Sequence, residues 1–355
     1  MKAFSISLLI ACLLLGLCTP LSAKESAPQI SARHAVLYEP STDSFLYDKD
    51  SVSRAPMAST TKIMTAYLAV KYCDLATYVS VPEEACGIEG SSLYLKPDER
   101  FTVKDLLYGV LLQSANDAAA TIAIYMDGSI SAFADRMNRE SQLLGLVNTH
   151  FVNPHGLDDP EHFTSARDLA KLAAVALDLP DFMEAVSTYK YTLTCENGDR
   201  RVLVNHNKLL HLYQGTTGVK TGFTKKSGRC LVGAVEINGV RLITVTLNAP
   251  DDWNDHIRLF EYGLSFYEHR VLCSAEDLVL NIPSFNQPGL YVACTNSETL
   301  SATLPKDAPA PTIVYELPSY ISTPKNCGAI VGYVKCILDG KCIAESPMII
   351  KEILN

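Results

Sequence analysis

A single tryptophan in 355 residues, and charged side chains at only 19% of positions, leave little from which to build a polyelectrolyte surface. The net charge is −9, and no segment gathers its lysines and arginines into a stripe. Both features exclude nucleic acid as a partner. There is no CxxC pair and no Cys/His spacing of the zinc-knuckle kind, so neither metal nor cofactor is expected. His150, His155 and His162 form no zinc-type pair either. No internal repeat occurs, which excludes solenoids and propellers. Beyond residue 23 no apolar run is long enough to cross a bilayer, so no membrane anchor is expected after processing.

Cysteine is present but follows no framework. Of 11 cysteines, Cys12 and Cys18 fall in the first residues. The odd remainder (Cys73, Cys86, Cys195, Cys230, Cys273, Cys294, Cys327, Cys336 and Cys342) suits small buried hydrophobes. Cys336 and Cys342 flank an Asp339-Gly340 turn, but a two-residue loop sets Cys342 opposite Ile337 and points Cys336 to the other face. No disulfide is expected there.

What is present is a packed, exported protein. Apolar residues make up 48% of the chain, which suits a globular core. Met1-Lys2, the apolar run Phe4 to Leu17, Pro20 and the small Ala23 have the pattern of a cleavable secretory signal over 1–23. The protein is therefore expected outside the cytoplasm: at the cell wall, at the membrane surface, or secreted.

Periodicity gives two textures. His34 to Tyr47 alternates around Pro40-Ser41-Thr42-Asp43 as a hairpin. Helical spacing covers Pro56 to Val70, Asp105 to Leu112, Asp117 to Tyr125, Ile130 to Leu144 and Ser165 to Leu177. Cys230 to Ile237 and Val240 to Leu247 alternate around Asn238-Gly239, a hairpin signal. Arg258 to His269 reads as a closing helix. Short apolar runs then follow, broken by Pro, Gly and Asn: Leu278 to Ile282, Gly289 to Cys294, Thr312 to Glu316, Ala329 to Leu338 and Lys341 to Pro347. This arrangement is an α+β unit over 24–271 followed by a small all-β sandwich over 272–355.

Three constellations carry chemistry. In Ser59-Thr60-Thr61-Lys62 a helix sets Ser59 and Lys62 one turn apart, with Ser59 in the first turn. A serine hydroxyl needs a base, and a lysine serves only when burial or a neighbouring cation lowers its pKa. Such a spacing occurs by chance on the order of once in a chain this long, so alone it means little. Ser114-Ala115-Asn116 offers a proton relay and an amide on a connector, although both types also cap helices. Lys220-Thr221-Gly222 precedes the second hairpin. It offers a cation, a hydroxyl for a carboxylate, and a glycine that lets a substrate approach the backbone. Gly90-Ser91-Ser92 reads as a turn, with lining of the cleft edge as the alternative, and Asn205-His206-Asn207-Lys208 as structural rather than catalytic.

Together these motifs resemble the penicillin-binding proteins of low molecular weight, within them the D-alanyl-D-alanine carboxypeptidases. The flanking residues Ala58 to Ala66, Ser114 to Ala119, Phe151 to Leu157 and Gly218 to Thr224 share in that resemblance. It implies the penicilloyl-serine transferase fold, with an antiparallel sheet, flanking helices and a helical lobe. It also implies catalytic roles for Ser59, Lys62 and Ser114, and substrate binding by Asn116, Lys220, Thr221, Gly222 and Phe223. Peptidoglycan stem peptides ending in D-Ala-D-Ala and β-lactam antibiotics are the implied partners. The backbone N–H groups of Ser59 and Phe223 are the implied oxyanion hole.

Two departures stand out. Some family members carry an arginine for the substrate carboxylate after the last hairpin strand. Here the stretch Ala249 to His256 is acidic, so that role falls to Lys220 and Thr221 and is not transferred to Arg258. Ile349 to Asn355 is too short for a membrane-holding amphipathic helix. D,D-endopeptidase, transpeptidase and β-lactamase activity use the same acyl-serine chemistry. A class A β-lactamase further needs a glutamate-held water, for which no counterpart is evident. A wall-binding protein without catalysis is the reading from another class, and intact Ser59, Lys62, Ser114, Asn116 and Lys220 argue against it.

Overall fold

The computed structural model describes residues 27–322 and 326–354. The expected signal segment 1–23 lies outside the described residues. The main sheet contains β1 (His34–Glu39), β2 (Ser44–Lys49), β3 (Thr216–Thr224), β4 (Gly228–Ile237) and β5 (Val240–Leu247). Their order is β2-β1-β5-β4-β3, every neighbouring pair antiparallel. Both expected hairpins are present. Asn238 and Gly239 take positive φ values of 50° and 78°, as a type I′ turn requires.

All six residues of β1 are buried, because the sheet is covered on both faces. Alternation sends Val36 and Tyr38 into a core shared with the helical lobe, and Ala35 and Leu37 into a second core with Leu259 and Phe260. The lobe comprises α1 (Lys62–Tyr72), α2 (Val103–Leu112), α3 (Asn116–Asp127), α4 (Ile130–Leu143), α5 (Ala166–Leu177) and α6 (Pro180–Ser187). Thr102, Ser129 and Ser165 cap α2, α4 and α5 by accepting backbone N–H groups, which fixes where those helices begin. The opposite face is covered by α7 (Asp252–Phe266).

Several elements differ from the sequence expectation. The helix expected from Pro56 opens as a 3-10 turn at Ala58–Thr61, and α-helix begins only at Lys62. Ala58 has φ +47°, which no α-helix accommodates. α6 was not expected, since eight residues give too short a period to stand out. α7 starts six residues before the expected Arg258, with Asp252 and Asp255 in its first turn, where acidic groups suit the helix dipole. It ends at Phe266, and Tyr267–Cys273 is a strand that pairs with an unexpected strand, Leu300–Pro305.

The C-terminal sheet runs in the order Val279–Pro283, Tyr291–Asn296, Lys341–Leu354, Ile330–Leu338 and Thr312–Glu316. Its last strand continues well past the expected Pro347. Leu300 from the two-stranded sheet packs with Val292, Val334 and Met348 of the five-stranded one, so the two sheets share one core. Ile337 lies opposite Cys342; Cys336 is buried, Cys342 is exposed, and both are free thiols. No helix among the described residues is long and apolar enough to cross a membrane.

Candidate active site

Ser59 sits in the 3-10 turn ahead of α1, and that turn is held from several sides. The Thr60 hydroxyl donates to Met57 O (2.6 Å) and the Thr61 hydroxyl to Ala58 O (2.8 Å). Val152 N–H donates to His162 Nδ1 at 3.1 Å. The ring proton is therefore on Nε2, which donates to Thr61 Oγ1 at 2.7 Å. Burial holds His162 neutral, with its pKa pushed down to about 4. Ala58 (φ +47°) and Ser114 (φ +60°) both occupy the left-handed region. Such residues cost about 1–3 kcal/mol each, so strain is held next to the nucleophile and at a second residue of the same cleft.

Lys62 is fully buried. Its Nζ lies 3.0 Å from Ser59 Oγ, 2.7 Å from Asn116 Oδ1 and 2.6 Å from His155 O. A neutral amine has two N–H bonds and one lone pair. Asn116 Oδ1 and His155 O can only accept, so they take both N–H groups and leave the lone pair for the Ser59 hydroxyl. Burial and then the Lys220 charge hold Lys62 well below its ordinary value, with Asp117 pulling the other way. Lys220 is also buried, and its pKa is pushed down to about 7.

These groups open onto a cleft of ≈ 640 Å³ whose walls include Ser59, Ser91, Ser114, Thr221, Gly222 and Phe223. Asn116 does not aim its whole amide at the cleft: one Nδ2 hydrogen goes to Glu89 O. Lys220 Nζ donates to Thr221 O at 2.9 Å and reaches Lys62 only through space. A Cβ built on Gly222 would lie 3.0 Å from Ser59 N and 3.1 Å from Thr60 N. Glycine is therefore needed for β3 to run this close beneath the nucleophile turn. Among the described residues β3 pairs only with β4 and is the outermost strand of its sheet. Arg258 is held by Asp251 (3.9 Å) and Asp255 (3.6 Å).

Other participants were not given these roles by the sequence. His155 contributes a carbonyl, not its ring. Asp117 accepts from Ser92 Oγ, Leu93 N and Leu95 N, which pins the loop that brings Ser91 to the cleft edge. His206, Lys208, Arg229 and Trp253 also line the cleft. His206 and Lys208 come from the stretch read as structural rather than catalytic. Asn205 in that stretch does have a structural role, donating to Val186 O and Thr188 O.

Residues 22–251 match the family described as D-alanyl-D-alanine carboxypeptidase. The chain belongs to that family. It is 33% identical to the D-alanyl-D-alanine carboxypeptidase DacF of Bacillus subtilis, over 99% of this chain and 94% of that protein. Identity to the D-alanyl-D-alanine carboxypeptidase DacC of Escherichia coli is 31%, over 92% and 85% of the two chains. Among solved structures, the Streptomyces K15 DD-transpeptidase matches with a TM-score of 0.64 and 30% identity, over 68% of this chain and 99% of that one. The carboxypeptidase DacD of Francisella tularensis matches 92% of this chain and 94% of its own with a TM-score of 0.67. At 24% identity that match speaks for the fold alone. It extends into the C-terminal sheets, so the α+β fold with an appended all-β unit is shared along nearly the whole chain.

Proposed function

We propose that the protein is a serine D-Ala-D-Ala carboxypeptidase that removes the terminal D-alanine from peptidoglycan stem peptides. The observation that carries this reading is the buried Lys62 amine, 3.0 Å from Ser59 Oγ, with the acceptors Asn116 Oδ1 and His155 O at 2.7 and 2.6 Å to take its N–H groups when it is neutral. Ser59 Oγ attacks the carbonyl carbon between the two D-alanines while its proton passes to Lys62 Nζ. The backbone N–H groups of Ser59 and Phe223 stabilise the oxyanion, a device worth about 3 kcal/mol per donor. The C–N bond then breaks, and Ser114 relays the proton from Lys62 to the departing amine. Water attacks the ester with Lys62 again as base, which frees Ser59. Asn116 holds Lys62, and Lys220 with Thr221 and Gly222 receives the peptide along β3. A β-lactam enters the same way and leaves a long-lived ester on Ser59. Such a substrate places the enzyme outside the cytoplasm. We assign catalysis to the unit that ends with α7 at Phe266, and a separate, non-catalytic role to the β unit, which starts with the strand Tyr267–Cys273, a few residues before the expected boundary at 271.

The test is D-alanine release from a tripeptide ending in D-Ala-D-Ala, measured beside penicillin turnover. Catalytic release with only slow loss of the penicilloyl ester is expected. Fast penicillin hydrolysis without D-alanine release would make the protein a β-lactamase.

The two depressed lysines also set a pH profile. Lys62 acts as the neutral amine, so kcat/KM rises as pH climbs through its lowered pKa. Lys220 acts as the cation, so kcat/KM falls as pH climbs past about 7. The bell belongs to the coupled pair, not to either residue alone. Lys220→Arg keeps the charge at any working pH and is expected to remove the alkaline limb. An alkaline limb that survives in Lys220→Arg would count against this assignment.

A further inference from the structure

The peptide such an enzyme cleaves ends in a carboxylate, and that group separates a carboxypeptidase substrate from an internal D-Ala–X bond. Three cations line or abut the cleft: Lys208, Lys220 and Arg229. Lys220 is buried and donates to Thr221 O on its own strand. Lys208 is exposed, with a flexible stem. Arg229 differs from both. It lies on β4 directly across from Phe223 of β3, and it is fixed on two sides. Its Nε and Nη2 donate to Asp252 Oδ1 at 2.9 and 2.7 Å. Its guanidinium carbon sits 5.5 Å from the centre of the Trp253 ring. The Arg229 side chain remains 42% exposed while that of Asp252 is 4% exposed. The carboxylate is thus covered while the guanidinium stays partly exposed, with Nε and Nη2 committed to Asp252 and Nη1 not. Asp252 and Trp253 also line the cleft, so this is a rigid donor presented to the cavity.

Resting on the function proposed above, we infer that Arg229, positioned by Asp252 and Trp253, binds the C-terminal carboxylate of the substrate and so sets the preference for terminal over internal D-alanyl bonds. The acidic stretch Ala249 to His256, which argued against a carboxylate site after the last hairpin strand, here supplies the support for an arginine on the neighbouring strand. A guanidinium already held by a carboxylate and an aromatic ring loses little freedom when it binds. Placed at the end of β3, it meets the end of a peptide lying along that strand.

The experiment compares two peptides that differ only at the end, one finishing in D-Ala-D-Ala as the free acid and the other as the C-terminal amide. Release of D-alanine or D-alaninamide is followed for wild type, Arg229→Gln and Arg229→Lys. In Arg229→Gln, kcat/KM for the acid is expected to fall about 10- to 100-fold, the size of one lost charge-assisted hydrogen bond, with the amide nearly unchanged. Arg229→Lys keeps a charge without the fork and is expected to fall between them. It also serves if the glutamine variant fails to fold. An acid-to-amide ratio equal to wild type in either folded variant overturns the assignment of Arg229 and leaves the proposed function standing. A wild type that releases nothing from either peptide overturns both.

Discussion

Ser59→Ala is expected to take up no fluorescent penicillin covalently and to release D-alanine about a million-fold more slowly than wild type. Losses of that size follow removal of the nucleophile from a serine hydrolase, because the catalytic groups work as a unit. The fold should be unaffected. The Ser59 hydroxyl makes no structural hydrogen bond shorter than its 3.0 Å contact with Lys62 Nζ, and its other contact, with His155 O, is 3.5 Å. The turn is held instead by Thr60, Thr61 and His162. A thermal melt matching wild type together with an unlabelled band on a gel is the expected pair of readings. Labelling at the wild-type rate would show that another residue carries the acyl group.

Lys62→Met is expected to slow acylation about a thousand-fold, within the range for a lost general base. The methionine fills much of the same buried volume but has no lone pair for the Ser59 proton. Two acceptors, Asn116 Oδ1 and His155 O, lose their donor, while the enzyme no longer has to bury an amine held far from its ordinary protonation state. These effects on stability oppose each other. The distinguishing measurement is the time course of penicillin labelling. Lys62→Met should label slowly over hours and then retain the label, because deacylation needs the same base. Ser59→Ala should never label. A Lys62→Met variant that labels as fast as wild type would remove Lys62 from the proton path.

The sequence was most informative where one residue type does one job. Ser59, Lys62, Asn116 and Gly222 are each the side chain, or lack of one, that the chemistry requires, and the structure brings them to one cleft. Strands of the main sheet were legible because alternation is strong there and Asn238-Gly239 marks its turn. Legibility failed where backbone atoms act. The carbonyl of His155 orients Lys62, yet nothing in a side-chain pattern announces a carbonyl. It failed again at Asp252 and Trp253, where an acidic run looked like a loop hostile to anions. In the fold that run is the first turn of α7, with Asp252 bound to an arginine from β4. Pairings across 23 positions are fixed by tertiary packing, which a linear reading does not contain. The strand Leu300–Pro305 carries little signal because its buried residues, Leu300, Ala302, Thr303 and Leu304, do not alternate and include a small and a polar one.

The outermost place of β3 has a cost beyond catalysis. A strand with unmet backbone groups is the template from which sheets grow between molecules, and proteins commonly protect such rims. Here the protection is the 3-10 turn bearing Ser59, which lies so close over Gly222 that a Cβ there would crowd two of its N–H groups. That roof lies too close to Gly222 for a chain to pass between them, so an extended peptide can join the strand only along its free edge, in front of Ser59. The feature that aligns a peptide for attack also guards the enzyme against self-association through its own catalytic rim.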